Sequence, residues 1–105
     1  MLFRHSKKEL LDLSEALRLT DPKKLSDKQL KRWTKLMNAT SGDYFEEALP
    51  LKKWLENPGV ALDLIDATPS YIRDLHADYL QKLKPALRQK VLQDKLKAKK
   101  VKLKP

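Results

Sequence analysis

Leu10, Leu13 and Leu17 recur at spacings of three and four residues, with Leu11 and Ala16 beside them. They predict an amphipathic helix whose apolar stripe runs to about Leu19. Ser6 and Glu9 stand at the spacing of a capping box, which places its start, and Thr20-Asp21-Pro22 ends it as a turn. A second capping box follows in Ser26-Asp27-Lys28-Gln29, flanked by Leu25 and Leu30 at the positions of a hydrophobic staple. In the helix it opens, Leu30, Trp33 and Met37 share one face, while Lys28, Lys31, Arg32 and Lys35 cluster on the opposite one.

Residues 38–42 close that helix, with Gly42 suited to a left-handed terminus and Asp43 to capping the next. Tyr44, Phe45, Ala48 and Leu49 give a third helix its apolar surface, and Pro50 is expected to break it, leaving a second piece over 50–56. Asn57-Pro58-Gly59 reads as a turn. Residues 60–66 are mixed in period; a short helix is the preferred reading, and a lone strand would have nothing to pair with.

Thr68-Pro69 reads as a helix opening, Thr at the cap and Pro at the first helical position. Ile72, Leu75, Tyr79 and Leu83 then follow at near-heptad spacing, a stripe that could face the chain's own core or a second copy in a homodimer. Pro85 is expected to interrupt or kink this run before a last helix over 86–97 with Leu87, Val91, Leu92 and Leu96 as its apolar members. From Ala98 the composition is too polar to order itself. The expected fold is therefore all-α: a small orthogonal or irregular bundle of about five to six short helices over residues 1–97, with a disordered basic tail over 98–105.

Composition strengthens the helical reading. The 105 residues include only two Gly, three Val, two Ile and four Thr, a mixture that disfavours sheet. With 41% hydrophobic and 35% charged residues, the core must be modest and the surface crowded with charge. The absence of cysteine rules out disulfides, thiolate catalysis and Cys-based zinc sites. No apolar run approaches the roughly 18 residues of a membrane span and no secretory signal is visible, so the expectation is a cytoplasmic or nucleoid-associated protein, or a nuclear one in a eukaryotic or viral setting.

Charge adds the strongest hint of function. The net charge of +9 is segregated: the first 41 residues carry +5, residues 42–79 carry −5, and residues 80–105 carry +9. The acidic middle can therefore either neutralise a basic end or leave both ends to an external polyanion. Two basic constellations fit a phosphate backbone. One is the front of the second helix, Lys28, Lys31, Arg32 and Lys35, with Lys23 and Lys24 before it. The other lies within residues 82–104, where Arg88, Lys90, Lys95, Lys97, Lys99, Lys100 and Lys102 face a single acid, Asp94. Lys99-Lys100-Val101-Lys102 also fits a short nuclear import pattern.

Aromatic residues could stack on bases, and Tyr71 is the one best placed outside an apolar face. His5 and His76 lie in no catalytic motif, and Asp74, His76 and Asp78 do not share a helical face, so no catalytic residue, metal or cofactor is expected. Glu46, Glu47, Asp63 and Asp66 in the acidic middle are candidates for a basic protein partner. The leading expectation is a non-enzymatic, nucleic-acid-associated accessory protein; the alternative is a helical adaptor or inhibitor that binds a protein partner.

Overall fold

The segment least regular in period forms the centre of the structure. The computed structural model describes residues 2–39 and 44–103, with side chains over 7–39 and 45–98. Its helices are α1 (Leu2–Arg18), α2 (Asp27–Ala39), α3 (Tyr44–Ala48), α4 (Leu51–Trp54), α5 (Pro58–Ala67), α6 (Ser70–Leu75) and α7 (Ala77–Leu103), with a 3-10 turn at Pro22–Lys24. No strand occurs among the described residues. The fold is a small, irregular all-α bundle, as the scarcity of β-branched residues predicts.

Helix α5 is in contact with α1, α2, α4, the 3-10 turn and α7. Its Val60, Ala61, Leu64 and Ile65 are fully buried. Because partners approach from several directions, apolar side chains occupy more than one face, which blurs the helical period. The expected turn at Asn57-Pro58-Gly59 is instead the entry to this helix, with Pro58 in its first turn, where a missing N–H costs nothing. The Asn57 side-chain amide donates to the carbonyls of Arg18 (3.2 Å) and Thr20 (2.5 Å), pinning the end of α1 to the start of α5. Gly59 lets the 3-10 turn approach α5 closely, since a Cβ there would stand 3.0 Å from Pro22 Cγ.

In α1, Leu10 and Leu17 are fully buried and Leu11 and Leu13 partly so. Ala16 is exposed and Leu19 is 69% exposed, so the stripe ends at Leu17, where the chain leaves the helix. The helix begins at Leu2, which puts Ser6 a turn inside it rather than at its cap; nothing before Ser6 breaks a helix. The second capping box forms as expected: Gln29 N donates to Ser26 Oγ (3.1 Å) and Ser26 N to Gln29 Oε1 (3.0 Å). Trp33, Leu36 and Met37 are buried from α2, with Leu25 and Leu30 packed at the edge of the core. The expected terminus at Gly42 and cap at Asp43 lie outside the described residues. Pro50 does separate α3 from α4, which spans only Leu51–Trp54.

Thr68 departs from its expected role. It ends α5 instead of opening α6; it is buried, its hydroxyl donates to Leu64 O (2.8 Å) and accepts from Trp33 Nε1 (3.3 Å). A core tryptophan donor thus finds its acceptor in a helix terminus. Trp54 Nε1 is satisfied in the same manner by Ala48 O at 2.7 Å.

The stripe Ile72, Leu75, Tyr79 and Leu83 also breaks up. The backbone leaves the helix at His76 (φ −116°, ψ 25°), shifting the register between α6 and α7. Ile72 and Leu83 are buried, Tyr79 is half-buried and Leu75 is 77% exposed, so the four share no common exposed face. The buried row of α7 is Leu80, Leu83 and Leu87. Tyr79 donates its hydroxyl to Leu49 O and meets Phe45 edge-on (6.3 Å, 85°), while His76 stacks on Phe45 (4.6 Å, 12°).

Pro85 does not end the helix; α7 runs through it to Leu103. The proline is exposed, and only the Gln81 carbonyl loses its usual donor. The helical backbone also continues past Ala98, where composition alone predicts loss of order, because extending an existing helix requires no new nucleus. At about 1.5 Å per residue α7 is roughly 40 Å long. It stretches the molecule to 58 × 27 × 20 Å, with a radius of gyration of 14.8 Å, against about 13 Å for a compact chain of this length. Leu92 and Leu96 are 60% and 58% exposed, so the distal half of α7 projects from the bundle.

Two stability changes are expected. Thr68→Val keeps the shape but orphans the Trp33 indole N–H, and should lower the unfolding free energy by about 1–3 kcal/mol in urea titrations. Pro85→Ala restores a helical N–H at an exposed site and should raise it by about 1–3 kcal/mol; a loss instead would mean that tertiary packing requires the proline.

Candidate nucleic-acid interface

The uninterrupted course of α7 sets the geometry of its charges. Positions 84, 88 and 95 fall within a narrow arc of one helical face, and positions 99 and 102 continue the same register. Arg88 and Lys95 are exposed and Lys84 is half-buried at the base of the row. Among the described residues none of these three has an ion-pair partner. The other expected contacts from this segment point elsewhere: Lys90 pairs with Asp94 at 3.3 Å, and Lys97 and position 100 lie on other faces of the helix.

On α2, Lys28, Lys31, Arg32 and Lys35 are all exposed, as is Lys24 in the preceding turn. Arg32 is partly neutralised by Glu9 of α1 at 3.4 Å. The basic fronts of α2 and α7 do not merge, because both helices pack against α5 and share no extended contact with each other. They are two separate surfaces.

The acidic middle engages the N-terminal basic segment. Glu47 pairs with Lys7 (3.3 Å), and Glu56 pairs with Arg18 (2.6 Å), whose side chain is only 15% exposed. Among the described residues no acid of 42–79 forms an ion pair with a cation of 80–98. Neutralisation by the acidic middle therefore acts at one end of the chain, and within α7 the ion pair among the described residues is Lys90 with Asp94.

Glu46 and Glu47 lie on α3, and Asp63 and Asp66 on α5, two helices without extended contact, so the four acids form no single patch. Partial burial raises the Asp63 carboxyl above its ordinary 3.8, and the neighbouring Asp66 adds to the shift. Burial, with Glu46 nearby, likewise raises the Tyr79 phenol.

One cation lay outside both basic constellations of the sequence. Arg73 of α6 lines an open cleft of about 390 Å³ together with Lys84 and Arg88, over a floor of Ala77, Leu80 and Pro85. The signal was present in the spacing of Lys84, Arg88 and Lys95, but it becomes visible only if the helix is allowed to run through Pro85. Among the aromatic candidates Trp33, Trp54 and Phe45 are buried. Tyr71 stays 55% exposed, with its hydroxyl donating to Asn38 Oδ1 and so linking α6 to α2. Among the described residues no group of three His, Asp or Glu side chains could hold a metal ion, and no helix is long and apolar enough to cross a membrane.

No protein-family model, curated protein or solved structure matches this chain.

Asp63 generates a pH prediction. Its folded pKa is raised, so the folded state holds the proton more tightly than the unfolded chain, and ionisation costs stability. The penalty is present above the folded pKa and disappears below the unfolded value of 3.8. Asp63→Asn should therefore be more stable than the parent near neutrality, with the difference vanishing in urea titrations carried below that pH.

Proposed function

We propose that this is a non-enzymatic accessory protein that binds the phosphate backbone of nucleic acid, with the basic row of α7 as its main surface, the front of α2 as a second, and little reading of base sequence. The observation that carries this reading is the row itself. Lys84, Arg88 and Lys95 share one face of a projecting helix, free of ion pairs among the described residues. From Lys84 to Lys95 the row spans about 17 Å, and the helical backbone carries positions 99 and 102 in the same register. Cations in line along a rod can meet successive phosphates and release their counterions.

A protein partner is the second reading. Leu92 and Leu96, four residues apart and exposed on the same projecting segment, favour it, since an acidic amphipathic helix would match both the leucines and the lysines.

The test is a salt-titrated binding assay with duplex DNA and single-stranded RNA, on the full chain and on a chain ending at Val91. That end point keeps the buried Leu80, Leu83 and Leu87 and removes the projecting half of α7. The full chain should bind, and the shortened one should bind at least about tenfold more weakly, with a flatter salt dependence. Replacing Arg88 and Lys95 by Gln should lower the logarithmic salt slope by roughly 1.4–1.8, the value of two phosphate contacts. Negligible binding by the full chain at low salt overturns the proposal; full affinity in the shortened chain removes α7 from it.

A further inference from the structure

The cleft between α6 and α7 differs in charge from the other grooves of the molecule. The groove between α1 and α4 is lined by Asp12, Glu15 and Glu47 as well as Arg18 and Lys53. The hollow at Leu55 sets Lys90 among Glu56 and Asp94. The α6–α7 cleft has three cations, Arg73, Lys84 and Arg88, and no carboxylate in its lining. Its floor is apolar, and Gln81 supplies an amide at the edge.

Arg73 adds an independent observation. Its Nε is buried and has no hydrogen-bond partner, although the residue as a whole is half-exposed; Arg18 Nε is in the same condition, but the Arg18 guanidinium is already paired with Glu56, whereas Arg73 has no ion pair among the described residues. A buried donor left unsatisfied is unusual, and guanidinium groups are suited to the paired oxygens of a phosphate. The cleft is also continuous with the basic row, since Lys84 and Arg88 belong to both.

We propose that this cleft seats one unpaired nucleotide, so that the protein prefers single-stranded nucleic acid over duplex. The inference rests on the nucleic-acid reading above. Arg73, Lys84 and Arg88 hold the phosphate, the base lies against Ala77, Leu80 and Pro85, and the Gln81 amide meets the base edge. The neighbouring phosphates of the strand then continue along α7 towards Lys95. A cleft of about 390 Å³ lies within the range of small-ligand sites. Bases inside a duplex are stacked and cannot enter it, whereas an unpaired base can be splayed out.

The test is fluorescence anisotropy with the full chain and four labelled probes of equal length at one salt concentration: an oligothymidylate, an oligouridylate, an abasic deoxyribose-phosphate oligomer and a duplex. At least one of the two base-bearing strands should bind about tenfold more tightly than both the abasic oligomer and the duplex, and which one does so separates a DNA from an RNA ligand. Arg73→Gln should bring that strand down to the abasic level without lowering the thermal unfolding midpoint, because the Nε has no hydrogen bond to lose. Gln81→Ala, at an exposed position, should narrow the gap between the base-bearing and abasic strands. Lys95→Gln should weaken all four probes alike.

Equal affinity for base-bearing and abasic strands overturns the nucleotide cleft and leaves the backbone reading standing. Arg73→Gln weakening every probe equally does the same. Absence of binding to all four probes at low salt removes both.

Discussion

One helix must be enclosed from several sides by a chain in which 35% of residues are charged, and the rest of the structure follows from that demand. Val60, Ala61, Leu64 and Ile65 of α5 can be buried only if α1, α2, α4 and α7 each give it an apolar face. Each fully buried aliphatic side chain contributes roughly 1.5–3 kcal/mol. With so few large residues available, each apolar face of this helix needs a partner, while Asp63 and Asp66 are left exposed. The connections on either side are correspondingly specific: Asn57 ties its entry to the end of α1, and Thr68 ties its exit to Trp33 of α2.

Those ties show how a small core accommodates polar atoms. Both tryptophans are buried, and each would be costly without a partner for its indole N–H. Trp33 uses a threonine hydroxyl that is itself anchored to Leu64 O, and Trp54 uses a carbonyl where α3 ends. The acceptors are found where helices stop, because backbone and side-chain oxygens not committed to a helical ladder are available there. The interruptions at Pro50 and Thr68 thus serve the packing of the helices they separate.

Enclosing α5 also distributes the charge. The N-terminal cations are drawn against the acidic middle, where Lys7 meets Glu47 and Arg18 meets Glu56. Helix α7 contributes its proximal half to the core through Leu80, Leu83 and Leu87, and although Glu56 lines a hollow beside Lys90, no acid of 42–79 forms an ion pair with a cation of 80–98 among the described residues. The ion pairing of the acidic middle is thereby directed to the N-terminal segment. The surface of α7 remains basic because one helix is longer than the core it packs against.

The sequence by itself determined the helical class, the capping box of α2 with its apolar and basic faces, the break at Pro50 and the segregation of charge. These depend on neighbours three or four residues apart, where local geometry alone decides which side chains meet. The tertiary structure decided the rest. Thr68 lies beside a proline that locally signals a helix start, yet Trp33, 35 residues away, holds it as a core acceptor. A stripe counted across His76 assumed one register where the backbone breaks it. Pro85 looked like a stop, but its single lost hydrogen bond falls at an exposed position in a helix otherwise held by the core. The alignment of Lys84, Arg88 and Lys95, and the cleft they form with Arg73, existed in the sequence only as spacing across that apparent break. Packing against α5 was needed to make them one surface.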